Sequence, residues 1–189
     1  DQNGVAGPEQ VFPLFADHTW KTGENLANAP IPWLSAGAGH GHPCQGHCLI
    51  LRWRAAGSGQ VKMTGQLDKA QEGGDVLAWE IVGKNHQVLR AGTLAPKQSL
   101  PLDSEWIDVA IGDVIDFQLR APNGQNNGGT RWDLRVLGRE NPAGAVREVG
   151  NLQKQFPVGE IAPPSPSKMN PWADLVQMLW ASNEFHFID

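Results

Sequence analysis

Hydrophobic and polar residues alternate with a period of two in several short runs along the chain, and turn residues separate the runs. In residues 48–54, Leu49, Leu51 and Trp53 share one face, while Arg52 and Arg54 share the other. Alternation of this kind is typical of a half-buried strand. Further runs of the same kind occupy residues 59–67, 76–82, 86–94, 105–111, 114–120 and 130–137. About eight strands suffice for a two-sheet jelly roll, so the pattern predicts an all-β, antiparallel jelly-roll sandwich.

One run places a tryptophan on a polar face. In residues 105–111, Trp106 and Asp108 fall on one side of the strand, opposite Ile107, Val109 and Ile111. Because the apolar side is expected to face the core, the alternation makes Trp106 a candidate for exposure.

After residue 138 the alternating pattern ends, and a Pro-rich stretch follows. We predict a sandwich module over 1–138, a Pro-rich linker or surface strap over 139–169, and a C-terminal amphipathic helix over 170–189. Asn170 fits an N-cap, and Pro171 fits the first helical position. The predicted helix presents one apolar stripe, which would dock on a partner or on the sandwich: Trp172, Leu175, Val176, Leu179 and Trp180.

The composition of the chain disfavours some classes of binding partner. The chain has 189 residues, a formal net charge of -5 and 19% charged residues, which disfavours nucleic acid because that ligand needs clustered cations. No apolar run approaches the roughly 20 residues of a spanning helix, and the first residues do not form a signal peptide. We therefore expect a soluble chain with no membrane span.

Two parts of the chain resemble a known family. The C-terminal run WADLVQMLWASNEFHFID, from residue 172, resembles the closing helix of a domain of unknown function in planctomycete-type secreted multidomain cytochrome c proteins. His42-Pro43, Arg52-Trp53, residues 112–117 and the pair Thr130 and Trp132 resemble landmarks of a carbohydrate-binding-like jelly-roll module in the same proteins. The resemblance implies a secreted, periplasmic or cell-surface protein, which is part of a larger chain or stands beside one. It also implies a neighbouring subunit as partner, for which a cytochrome c chain is the candidate.

The densest group of soft ligands is a His/Cys loop containing His40, His42, Cys44, His47 and Cys48. Imidazole and thiolate groups suit zinc or copper, so the three histidines are candidate transition-metal ligands; the alternative is that they are ordinary loop residues. The cysteine spacing does not fit the C-x-x-C-H motif of haem attachment, so no haem is expected on this chain. For the two cysteines, we favour a disulfide over a thiolate metal site or free buried thiols.

Carbohydrate binding requires flat aromatic faces beside polar groups. Five of the eight tryptophans are assigned to the core or to the helix stripe by their spacing: Trp53, Trp79, Trp132, Trp172 and Trp180. Trp20, Trp33 and Trp106 remain as candidate platforms, with packing under a loop as the alternative.

Polar residues on the predicted outward faces are candidate sugar contacts beside these rings, namely Asp108, Arg120 and Arg131. The alternative is an ordinary solvated face of cross-strand ion pairs.

Calcium is a further candidate cofactor. The turns supply hard oxygen ligands from Asp75, Asp113, Asn123 and Asn126. Turn formation explains the same residue types without an ion.

Catalytic motifs are absent from the sequence: we find no G-x-S-x-G, H-E-x-x-H or phosphate-binding loop. The sequence therefore favours a non-catalytic secreted module that binds polysaccharide. The alternative is a structural or assembly subunit that docks on a partner through the strap and the C-terminal helix.

Overall fold

The structure, a computed structural model, describes residues 9–11, 14–16, 19–28, 34–44, 46–122, 129–153 and 185–188. These residues form fifteen β-strands and two short 3-10 turns. The strands are β1 (Glu9–Val11), β2 (Leu14–Ala16), β3 (Thr19–Lys21), β4 (Ser35–Gly37), β5 (His40–His42), β6 (Cys48–Arg54), β7 (Gly59–Lys69), β8 (Leu77–Val82), β9 (Val88–Leu94), β10 (Gln98–Asp103), β11 (Ile107–Val109), β12 (Val114–Arg120), β13 (Thr130–Arg139), β14 (Arg147–Asn151) and β15 (Phe185–Ile188).

The strands form two sheets. One sheet has six strands in the order β1-β15-β6-β12-β8-β9. The other has nine: β10-β7-β13-β5-β4-β3-β2 in order, with β11 paired to β7 and β14 paired to β13. The pairings are antiparallel, so the prediction of an all-β fold in two antiparallel sheets is confirmed. No helix in the described ranges is long and apolar enough to cross a membrane.

The core contains the apolar side chains that alternation assigned to the inner faces. From the six-stranded sheet come Leu49, Leu51 and Phe117, and from the nine-stranded sheet come Met63, Leu134 and Val136, all of them fully buried. Trp53, Trp79 and Trp132 are buried in the same cluster. The prediction that these three tryptophans are core residues is confirmed.

The long pairing between β7 and β13 requires a glycine at position 65. Gly65 has a φ of +146°, and a Cβ built there would lie 1.8 Å from the carbonyl oxygen of Asp133. Only a residue without a side chain allows so close an approach in this backbone region. Gly65 therefore fixes the spacing of β7 and β13, the longest paired strands of the nine-stranded sheet.

Two segments near the C-terminal end form strands where the sequence analysis predicted a linker or strap and a helix. Strand β13 continues to Arg139, and β14 (Arg147–Asn151) pairs with it, so these two parts of the predicted linker or surface strap join the nine-stranded sheet. Phe185–Ile188 forms a strand paired to β6 and β1, which corrects the helix prediction at those positions. Residues 154–184, with the whole predicted stripe, lie outside the described part: Trp172, Leu175, Val176, Leu179 and Trp180.

The run predicted over 105–111 is also shorter than expected, since β11 spans only Ile107–Val109. Ile111, expected to face the core, is 72% exposed. The chain has already turned there: Gly112 has a φ of +87°, and the Asp113 carboxylate accepts a hydrogen bond from the Ala110 amide at 2.9 Å. The turn therefore ends the alternation before Ile111.

Candidate binding groove on the nine-stranded sheet

Strand register brings four polar residues into one row across the nine-stranded sheet. Arg131 lies opposite His40 on β5 and opposite Asp68 on β7, and Asp68 lies opposite Ser99 on β10. The neighbours Leu67 and Trp132 face the core, so the row lies on the outer face of the sheet. Adjacent strands are about 4.8 Å apart, so the row extends for about 14 Å.

Two adjoining depressions follow this row. The larger has a volume of about 720 Å³ and the smaller about 330 Å³. They share Asp68, Ala70 and Arg131, which lie between them. The larger is also lined by Ser35, Ala38, Gly39, His40, Gly41, His42, Gln71, Gly129 and Thr130. Together the two depressions form one open groove, which we call the β5–β10 groove.

The β4–β5 hairpin forms one wall of the groove. The His40 ring lies over Gly37, where a Cβ would come within 2.2 Å of the ring, and its Nδ1 donates to the Ala38 carbonyl at 3.2 Å. On the opposite face, a Cβ at Gly41 would lie 2.6 Å from the Trp132 ring. Gly37 thus leaves room for the His40 ring on the outer face, and Gly41 leaves room for the Trp132 ring on the inner face.

The carboxylate of Asp68 is held toward β10. Its Oδ1 accepts hydrogen bonds from Ser99 Oγ at 2.5 Å and from Gln66 Nε2 at 3.0 Å. The side chain of Arg131, which lies directly across from Asp68, is exposed and makes no hydrogen bond or ion pair with the described residues. Arg135, further along β13, is paired with Asp133 at 2.9 Å. The groove therefore has an unpartnered guanidinium near its middle.

Two basic groups at the groove are affected by burial. Burial lowers the pKa of His42, against weaker raising effects of backbone hydrogen bonds. Lys69 is fully buried at the end of β7 beside the smaller depression, and burial lowers its pKa while the charge of Asp75 raises it. His42 is therefore expected to be neutral near pH 7, where it can both donate and accept hydrogen bonds.

Trp106 lies on the same outer face, near the other end of β7. The Arg139 guanidinium lies 4.1 Å from the centre of its ring, and Lys62 Nζ lies 5.6 Å from it. Asp108 is close by and accepts a hydrogen bond from Gln60 at 3.0 Å. Lys62 and Asp68 are six residues apart on β7, so the Trp106 cluster is about 20 Å from the groove.

The remaining predicted sugar contacts are scattered. Trp20 is half-buried and packs against the core. Arg120 lies on β12 of the other sheet, where it contacts Glu80 and Gln118, each at 3.0 Å. Trp33 lies outside the described residues. Of the six predicted contacts, the structure therefore brings only Trp106, Asp108 and Arg131 to one face.

The two cysteines are free, buried thiols, so the predicted Cys44–Cys48 disulfide is wrong. Cys44 belongs to the core cluster between the sheets, whereas alternation along β6 turns Cys48 to the opposite side from Leu49. There its thiol lies 3.7 Å from Gln118 Oε1. Burial raises the pKa of Cys44 to about 12 and that of Cys48 to about 11, which keeps both thiols protonated and unreactive near pH 7.

The candidate metal ligands do not converge in the described part of the chain, where no three His, Cys, Asp or Glu side chains come together as a metal site. His40 and His42 line the groove, but His47 does not line it. Asp113 stabilises its own turn and lies 3.7 Å from Lys84 Nζ. The other predicted calcium ligands are Asp75, which lies near Lys69, and Asn123 and Asn126, which lie outside the described residues.

Sequence reasoning missed Asp68, Gln71, Ser99 and Thr130 as groove residues. Asp68, Gln71 and Ser99 lie outside the runs that alternation predicted. Register between distant strands brings Asp68, Ser99 and Thr130 to the groove, and Gln71 lines it just after β7.

No match to the chain is found among protein-family models, curated proteins or solved structures.

Proposed function

We propose that this chain is a non-catalytic, secreted jelly-roll module that binds polysaccharide in the β5–β10 groove. The observation that carries the proposal is the continuous polar groove formed by two adjoining depressions on the outer face of the nine-stranded sheet. Support for the jelly-roll type comes from strand order: sheet neighbours such as β6 and β12, or β7 and β13, are distant in sequence.

The groove has the chemistry that a glycan requires. Sugar hydroxyls need donors and acceptors in a site that stays partly wet, and the lining offers imidazole, carboxylate, amide and hydroxyl groups. Its length of about 14 Å across four strands suits a stretch of chain better than a single sugar ring. An open groove also lets a long polymer enter and leave at both ends.

Trp106 is a second, separate contact in this proposal. Its ring already interacts with Arg139 and Lys62, so a sugar that stacked on the face covered by Arg139 would have to displace the guanidinium. We therefore assign the main binding energy to the groove and expect Trp106 to contribute less.

Secretion, and a place in or beside a larger multidomain protein, follow from the family resemblance and form part of the same proposal. The alternative function is assembly on a partner through the strap and the C-terminal helix, and most of these residues, including 154–184, lie outside the described part. Calcium is an expectation that the binding experiment can test directly.

The test is to pass the full chain over a broad panel of immobilised polysaccharides, with calcium and with chelator, while light scattering measures its mass. We expect saturable binding to at least one glycan. His40→Ala should weaken it by about three- to tenfold, the value of one or two lost hydrogen bonds. Arg120→Ala, on the other sheet, is the control and should leave affinity unchanged.

If no polysaccharide binds, the proposal is wrong. Oligomers or a co-purifying partner would then favour the assembly function.

A further inference from the structure

Basic side chains outnumber acidic ones in the lining of the β5–β10 groove, although the chain as a whole is acidic. The whole chain carries -5, yet the groove is lined by one carboxylate, Asp68, and by three cationic side chains, Lys69, Lys97 and Arg131. A polyanion would be repelled by the protein as a whole, so any attraction must be local to this groove.

Arg131 is the group in this set that is available to a ligand. Lys97 is engaged by Glu72, and Lys69 is fully buried. Arg131 is exposed, and the carboxylate directly across from it is already held by Ser99 and Gln66. Asp68 is therefore engaged by its neighbours and forms no ion pair with Arg131.

Several other arginines in the described residues have a carboxylate partner, which Arg131 lacks. Arg52 is bonded to both carboxylate oxygens of Asp116 at 2.8 Å, and Arg120 and Arg135 have carboxylate partners. The side chain of Arg147 has no hydrogen bond or ion pair within the described part, but Arg147 lies on β14 and lines neither depression. Arg147 is therefore a matched control for an exposed guanidinium outside the groove.

From this arrangement we infer that the β5–β10 groove takes an acidic polysaccharide, with an anionic group of the glycan seated on Arg131. A guanidinium offers paired donors that match a carboxylate or a sulfate. The flanking depressions would then hold the neutral sugar units on either side, through the hydroxyl, amide and imidazole groups of the lining. This inference rests on the proposed function and names its substrate class.

The experiment compares polymers that differ only in charge. Calorimetry or affinity electrophoresis would measure binding of the full chain to polygalacturonate and to its methyl ester, and to dextran sulfate and dextran. We expect at least one charged polymer to bind about tenfold or more tightly than its neutral counterpart. Arg131→Gln should remove that preference, with a loss of roughly 10- to 100-fold for the charged polymer, and Arg147→Gln should keep it.

The two pairs of polymers separate carboxylate from sulfate, and a preference within either pair supports the inference. Equal binding of charged and neutral polymers overturns it and leaves the proposed function intact. An equal loss in Arg147→Gln and Arg131→Gln also overturns it, because general electrostatics would then explain the binding. Absence of binding to all four polymers also overturns the inference, and the broad polysaccharide panel then decides the proposed function separately. Unchanged melting temperatures of the two variants control for folding.

Discussion

Replacing Gly65 with alanine tests the packing of the nine-stranded sheet. A Cβ at this position would lie 1.8 Å from the Asp133 carbonyl oxygen. To reach even 3.0 Å, the carbonyl would have to retreat by about 1.2 Å, which is enough to break neighbouring hydrogen bonds of the β7–β13 ladder. The φ of +146° is a further cost for alanine, because this backbone region is essentially restricted to glycine.

The expected loss of stability follows from these two effects. Strain at the backbone costs about 1–3 kcal/mol, and two lost ladder hydrogen bonds cost about 1 kcal/mol each. Gly65→Ala should therefore lower the free energy of unfolding by roughly 3–5 kcal/mol. For a chain of this length, that is a fall in Tm of about 6–20 °C.

Thermal and urea unfolding, followed by circular dichroism, would measure this loss. Gly57→Ala is the control: Gly57 is exposed, and a Cβ there meets nothing within 4 Å, so its stability should change by less than about 1 kcal/mol. A Gly65→Ala protein that melts within about 2 °C of the wild type would refute the close approach of the two strands.

Two further predictions concern the thiols and His42. Without reductant, iodoacetamide should label neither cysteine in the native protein, because both are buried with raised pKa values, and should label both Cys44 and Cys48 in denaturant. Mass spectrometry measures this, and a denatured chain that takes up no label would instead indicate a disulfide. Because burial lowers the pKa of His42 from 6.5, the folded state binds its proton less readily than the unfolded state, and stability should be lost as pH falls below about 6.5 and through the lowered pKa. His42→Asn should flatten that part of the Tm–pH profile, and identical profiles for variant and wild type would contradict the assignment.

Alternation was a reliable guide to the inner faces of the longer strands. Leu49, Leu51 and Phe117 are buried where the period of two places them, because a strand must turn alternate residues to opposite sides. The same rule failed for Ile111, since a turn interrupts the strand before it. Alternation holds only while the backbone stays extended.

Alternation also could not show which polar faces are exposed. Asp116 and Gln118 alternate with the core residues Ile115, Phe117 and Leu119 along β12, yet both are buried. Asp116 is satisfied there by two hydrogen bonds from Arg52, and Gln118 accepts from Arg120. The sequence pattern separates the two faces of a strand, but whether the outer one meets water depends on the rest of the fold.

Only part of the candidate site could be predicted from the sequence. Arg131 was identified as an outward cation, but the groove around it depends on His40 and Asp68, which join it through register across β5, β13 and β7. Register between distant strands is set by the whole sheet and leaves no local signal. The cysteine prediction failed for a related reason, since a spacing in sequence does not reveal that the two thiols lie on different sides of β6.

The position of β15 has a consequence for how the six-stranded sheet opens. This strand lies between β1 and β6, and among the described strands β1 has no other neighbour in the sheet. Any fluctuation that detaches Phe185–Ile188 from β6 also releases Glu9–Val11, although the two segments are at opposite ends of the described chain. Their amide protons therefore belong to one cooperative unit for hydrogen exchange, which opens at a lower free energy than the centre of the sheet. Strands β1 and β15 can thus detach together from the edge of the six-stranded sheet while β6, β12 and β8 remain paired.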